Sequence, residues 1–430
     1  MKKIIAPTSP MGWNSWDCYG AAVTEDIVRQ NAEYMAKYLK PYGWEYVVVD
    51  IQWFEPNAGS HQYSPFTELC MDEYSRLLPA VNRFPSAAGG KGFAPLAEYV
   101  HSLGLKFGIH IMRGIPRQAA HKGTPILGTD RTARQVASTN SICFWNTDMY
   151  GVNPWAKGAK EYYDSIFALY AEWGVDFIKC DDIAREMPHC EAELRLMSDC
   201  LKNCGRDIVF SLSPGPALPE KSELYKETAN MWRITDDFWD DWKALLYMFD
   251  RCEKWQDHVQ EGCWPDCDML PLGRVGRHFG QERDCGFTRE EQKTMMTLWC
   301  IFRSPLMLGA ELTKLDDWTL SLLQNRELLL LNQRPFQPRQ VFRDREQCAW
   351  AAADPGMGEW YVAIFNLTEE AREVSVTLEE CASMFPEKVF VPAETVRDVW
   401  TGQTVAIEDG TIRGLLPPHG TMLLHKGLYQ

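Results

Sequence analysis

From Met1 to about Leu330, short runs of consecutive apolar residues alternate with longer segments whose apolar positions recur every three or four residues. The short runs are MGWNSW (11–16), EYVVVDIQW (45–53), LKFGIHIM (105–112), VDFIKCDD (175–182), DIVFSLSP (207–214), MWRITDD (231–237), WPDCDML (264–270) and SPLMLG (304–309). Runs this short and this rich in β-forming residues predict strands buried on both faces, the habit of a parallel sheet. The longer segments predict helices. One spans 24–43, with Thr24 as N-cap and Gly43 as the stop, and another spans 287–302, opened by the capping box Thr288–Glu291. Eight strands alternating with helices predict an α/β fold, a (β/α)8 TIM barrel over residues 1–335. A doubly wound sheet fits less well, because no Gly-x-Gly-x-x-Gly follows the first strand.

After about Pro338 the period changes to two. EWYVAIFNL, REVSVTL, TVAIEDGTI and TMLLHKG alternate apolar with polar residues, and Asp409-Gly410 is a two-residue hairpin signal. Residues 336–430 therefore predict a C-terminal antiparallel β-sandwich domain.

Charge narrows the partners. A net charge of −15 without a basic cluster argues against nucleic acid and anionic membrane, and favours a small neutral ligand. No segment approaches the roughly 18 uncharged apolar residues of a membrane span. The apolar stretch after Lys2-Lys3 is too short for a signal peptide, so the expected location is the cytoplasm. The fourteen cysteines are then expected to be reduced. A homo-oligomer is compatible with all of this.

Acidic residues collect at the C-terminal strand ends, the functional face of a barrel: Asp50, Asp181 with Asp182, Asp236 with Asp237, and Asp266 with Asp268. Helix capping accounts for one member of each pair more easily than for both. Strand alternation separates them. Lys179 shares a face with Asp181, and Arg233 with Asp237, leaving Asp182 and Asp236 for supporting bonds. A carboxylate beside Lys stays ionised, as a nucleophile requires, and a second in an apolar setting can keep its proton. Such a pair suits glycoside hydrolysis. Some of the seventeen tryptophans would then supply platforms for sugar faces.

MGWNSWDCYG, FIKCDD, WRITDDFWDDW, WPDCDML and SPLMLGAEL together resemble the α-galactosidase and α-N-acetylgalactosaminidase family, glycoside hydrolase family 27; VRDVWTGQ and LPPHGTMLL resemble its C-terminal domain. The resemblance implies a retaining exo-glycosidase acting on terminal α-linked galactose-type sugars, with Asp181 as nucleophile and Asp237 as acid/base. It also implies substrate binding by Trp16, Asp50, Lys179 and Arg233, and no metal or organic cofactor. The substrate would be a small oligosaccharide or glycoside.

Two departures bear on specificity. Relatives usually carry a second Asp after the one matching Asp50, to hold O4 and O6; here the residue is Ile51, which suits a ring lacking the hydroxymethyl group, such as β-L-arabinopyranose. After the fifth strand Ser213 leaves room for a C2 acetamide. His110, where relatives often have Tyr, reads as a satisfied strand residue, and Ile183 replaces a cysteine that is disulfide-bonded in many secreted members. Two readings from other classes stand beside this one: a metal-dependent barrel lyase or isomerase, and a sugar-binding protein without catalysis.

Overall fold

The computed structural model describes residues 4–59, 63–185, 189–276, 281–354, 356, 358–386 and 389–427. Eight parallel strands form the first layer: β1 (Met11–Asn14), β2 (Tyr46–Val49), β3 (Lys106–Met112), β4 (Phe177–Asp181), β5 (Val209–Leu212), β6 (Met231–Arg233), β7 (Trp264–Asp266) and β8 (Leu306–Leu308). Their order is β7-β6-β5-β4-β3-β2-β1-β8. The ring closes where Leu270 and Leu308 form a parallel bridge. There the Leu270 amide donates to Met307 O (2.8 Å), and the Gly309 amide donates to Leu270 O (3.1 Å). All eight expected strands are present, each shorter than its apolar run. The strand expected over 45–53, for instance, ends at Val49, and the chain turns through 51–54.

Strand alternation gives the barrel two faces. Tyr46, Val48, Phe177, Val209, Met231, Trp264 and Met307 form one buried cluster inside the ring. Their neighbours Val47, Val49, Ile178, Cys180 and Trp232 belong to the larger core beneath the helices. Continuing the inner parity upward brings Asp50, Lys179, Asp181, Arg233 and Asp266 to the mouth.

Helices Glu25–Tyr38, Ala94–Ser102, Ala159–Glu172, Glu191–Lys202, Ser222–Thr228, Trp242–Trp255 and Arg289–Phe302 alternate with the strands. The helix expected over 24–43 stops at Tyr38. Pro41, which has no N–H to donate, sits in a following 3-10 turn, and Gly43 ends the segment at φ 100°. Thr24 takes the N-cap position without a side-chain bond, whereas both bonds of the Thr288–Glu291 capping box are made. Among the described residues no helix is long and apolar enough to cross a membrane.

Beyond the barrel, a six-stranded antiparallel sheet faces a two-stranded one, Arg372–Thr377 with Thr411–Leu416. Val362, Ile364, Val374, Val376, Ile412 and Leu424 fill the space between them. A six-residue helix, Leu378–Ser383, interrupts the strands, a feature the period-two pattern did not predict. The outer face of the larger sheet joins the barrel's own core: Trp350, Phe365 and Leu423 cluster with Met295 and Trp299 of the 289–302 helix.

Candidate active site

A cavity of about 530 Å³ opens at the C-terminal strand ends. Its lining includes Trp16, Asp17, Asp50, Ile51, Tyr63, Trp145, Lys179, Asp181, Arg233, Asp237 and Asp268. Seven of the eight predicted site residues therefore meet in one place. Ser213 is the exception: Pro214 lines the cavity, while the Ser213 hydroxyl lies behind it and donates to Asp181 Oδ1 (3.0 Å).

Asp50, directly after β2, is fully buried. Its Oδ2 accepts from Asn14 Nδ2 (2.7 Å) and from Lys179 Nζ (2.8 Å), and its Oδ1 accepts the Ile51 amide (2.8 Å). Burial raises such a carboxyl, but the Lys179 and His110 charges outweigh it and hold Asp50 below its ordinary range. The same pairing works in reverse on Lys179. Burial works against its charge, but Asp50 and Asp181 keep the ammonium protonated above the usual lysine range.

Asp181 ends β4, and its two oxygens have three hydrogen-bond partners within the protein. Oδ1 accepts from Ser213 and from the Asp182 amide (3.1 Å), and Oδ2 faces His110 Nε2 at 3.0 Å. Burial pushes this carboxyl up; the His110 bond and the charges of His110, Lys179 and Arg233 win, and Asp181 stays well below the usual carboxylate range. An ionised carboxylate only accepts, so Nε2 must be the protonated nitrogen of His110. The ring lies on β3, whose register places His110 beside Lys179 and Met112 beside Asp181. The sequence reading of His110 as a satisfied strand residue is corrected here: it touches Asp181, and its Nδ1 is buried without a hydrogen-bond partner among the described residues.

Asp182 points the other way, at φ 61°, and accepts from Arg113 Nη2 (2.8 Å); Arg113 also binds Glu193 (2.9 Å). Its expected supporting place is the one observed.

Arg233 ends β6 and forks between two carboxylates, Nη2 to Asp237 Oδ1 (2.8 Å) and Nη1 to Asp268 Oδ1 (2.8 Å). The Asp237 side chain is 62% exposed at the mouth, whereas Asp268 is buried. Burial pushes Asp268 up to about 7 against the opposing pull of Arg233, with Asp237 and Asp266 reinforcing the rise. Asp236 Oδ1 accepts the Asp237 amide (3.0 Å), a supporting bond, but Asp236 lines the cavity beside Asp237 instead of facing away from it as its parity suggested, because the strand has already ended at Arg233.

Three aromatic rings form one wall. Trp16 stacks on Tyr63 with centroids 5.8 Å apart, and Tyr63 tilts against Trp145 at 5.7 Å. Ile51 is buried in the lining, with only carbon at its side-chain tip.

Sequence reasoning missed Asp17, which is buried in the lining with Oδ2 unpartnered among the described residues. Burial, reinforced by Asp268, raises its carboxyl well above the ordinary range. Gly309 makes the space for it: a Cβ there would lie 2.1 Å from Asp17 Oδ2. The only sequence signal was one more acid in a motif already rich in site residues.

A barrel mouth that sets paired carboxylates beneath an aromatic wall is built for carbohydrate, and comparison with known proteins defines the class as glycoside hydrolase. Residues 150–334 match the alpha galactosidase A family model, and residues 347–425 match the alpha galactosidase C-terminal beta sandwich domain. A GH27 β-L-arabinopyranosidase from Geobacillus stearothermophilus is 55% identical, with 98% of each chain covered and a TM-score of 0.93. A candidate α-N-acetylgalactosaminidase from Bacillus halodurans is 49% identical over 98% of this chain and 99% of that one, with a TM-score of 0.85. Alpha-galactosidase 2 of Arabidopsis thaliana is 26% identical over 97% of this chain and 89% of its own length. The chain belongs to glycoside hydrolase family 27. Family membership replaces the lyase reading.

Proposed function

We propose that this chain is a retaining exo-glycosidase that removes terminal β-L-arabinopyranose, with Asp181 as nucleophile and Asp237 as acid/base. Asp181 is ionised and oriented by its bonds from His110 and Ser213, so it is ready to attack the anomeric carbon. Asp237 stands at the open side, where it can protonate the departing oxygen and later deprotonate a water; Arg233 steers its carboxyl. The two carboxyl groups of a retaining pair work at about 5–5.5 Å apart. Asp50 and Lys179, locked together at the cavity floor, offer one acceptor and one donor to ring hydroxyls.

The observation that carries the choice of sugar is Ile51. β-L-Arabinopyranose has the ring of α-D-galactopyranose without C6. A galactosyl O6 facing this side chain would lose a hydrogen-bond partner, at a cost of roughly 1–3 kcal/mol. The 55% identical arabinopyranosidase, which has also been captured as a variant with arabinose bound, supports the same sugar. Ser213 lends little to an acetamido sugar, because its hydroxyl is engaged by Asp181.

The test is kcat/KM on the p-nitrophenyl glycosides of β-L-arabinopyranose, α-D-galactose and α-N-acetylgalactosamine, with Asp181→Asn alongside. Preference for the arabinopyranoside supports the proposal. Preference for the galactoside or the acetamido sugar overturns the choice of sugar, and full activity of Asp181→Asn overturns the mechanism. Failure to cleave any of the three would favour a sugar-binding protein.

A further inference from the structure

We infer that Phe144, set against the Arg185 guanidinium at the rim of the cavity, is an aglycone subsite for leaving groups that present a flat apolar face. The inference rests on the glycosidase reading above and deepens it. At the floor of the cavity Asp50 and Asp268 are buried and Lys179 is only 13% exposed, so a sugar seated there can release its leaving group only toward the mouth. Asp237 marks that direction, since an acid that protonates the glycosidic oxygen must lie between sugar and leaving group.

From Asp237 a chain of contacts leads outward to one ring. Asp236 Oδ1 accepts the Asp237 amide at 3.0 Å, and its Oδ2 accepts Arg185 Nη1 at 3.0 Å. The Arg185 guanidinium sits 5.5 Å from the centroid of Phe144, a cation–π contact that backs the ring. Phe144 itself is 79% exposed. Single exposed apolar residues are ordinary, so exposure alone means nothing. What sets Phe144 apart is that it lines the cavity, is braced from behind, and is linked through two side chains to the proposed acid/base. Trp155 is also exposed, at 83%, but does not line the cavity.

A ring presented this way offers a stacking surface to an aryl group or to the apolar face of a second pyranose. The experiment compares three substrates that carry the enzyme's preferred sugar: the glycosyl fluoride, whose leaving group is too small to reach Phe144, the p-nitrophenyl glycoside, and a disaccharide. For Phe144→Ala, the ratio of kcat/KM on the p-nitrophenyl glycoside to that on the fluoride is expected to fall about tenfold, the scale of one lost aromatic contact. A parallel fall for the disaccharide extends the subsite to sugars; a fall for the aryl substrate alone restricts it to aromatic leaving groups. Phe144→Tyr should restore the ratio, and Trp155→Ala should leave it unchanged. A ratio for Phe144→Ala within twofold of the parent's overturns the inference while leaving the glycosidase reading intact. A parent enzyme that cleaves none of the three overturns both.

Discussion

His110 Nε2 lies 3.0 Å from Asp181 Oδ2, so a side chain of β3 holds the carboxylate that ends β4. Replacing His110 with Phe removes a bond to a charged acceptor worth roughly 1.5–3 kcal/mol, about 10- to 100-fold in rate. Because this bond holds the Asp181 carboxyl down, its loss raises that carboxyl. The acid limb of the kcat/KM profile should therefore move to higher pH, and a general loss of activity with no movement of the limb would contradict the assignment.

Ile51→Asp restores an acceptor beside Asp50. The ratio of galactoside to arabinopyranoside kcat/KM should rise by about 10- to 100-fold, the worth of roughly 1–3 kcal/mol. Competitive inhibition by the two free sugars checks the same shift at the level of binding.

Two carboxylates share Arg233, and azide distinguishes their roles. With a substrate bearing a good leaving group, Asp237→Asn should retain the first displacement but stall in the second. Added azide should then restore turnover and release a glycosyl azide of retained configuration. Asp268→Asn should be weaker on every substrate and indifferent to azide. Rescue of Asp268→Asn instead would transfer the acid/base role to Asp268.

Asp268 also links stability to pH. Its carboxyl is raised to about 7 in the folded chain, chiefly by burial. A group raised in this way contributes stability below the unfolded value, near 3.9, and that contribution is lost as pH rises toward 7. In melting experiments from pH 5 to pH 8, the parent should lose more stability than Asp268→Asn. Equal slopes would mean that Asp268 titrates normally.

Much of this was legible in the sequence because the barrel writes itself locally. Each apolar run marked a strand, and parity alone separated Asp181 from Asp182, whose side chain turns to Arg113. The same logic weakened at Asp236, since β6 already ends at Arg233 and the following residues no longer alternate. His110 was misjudged because its partner lies on the neighbouring strand, and interstrand register has no local signature. Tyr63 and Trp145 come from long excursions after β2 and β3, whose return to the mouth depends on the whole tertiary fold. Asp17 was hidden for a related reason: its neighbour Gly309 is at the far end of the barrel sequence.

The seam of the ring carries one more consequence. β7 and β8 meet through the bridge at Leu270 and Leu308, two residues past Asp268 on one side and directly before Gly309 on the other. The staves of this cask are therefore hooped most lightly beside two of its pocket acids. Local opening there would disturb Asp268 and Asp17 before the rest of the barrel notices. The Leu270 and Gly309 amides, which close the seam, are thus sentinels: their deuterium uptake should slow when a sugar fills the pocket, while amides deep in β2 and β4 keep their pace.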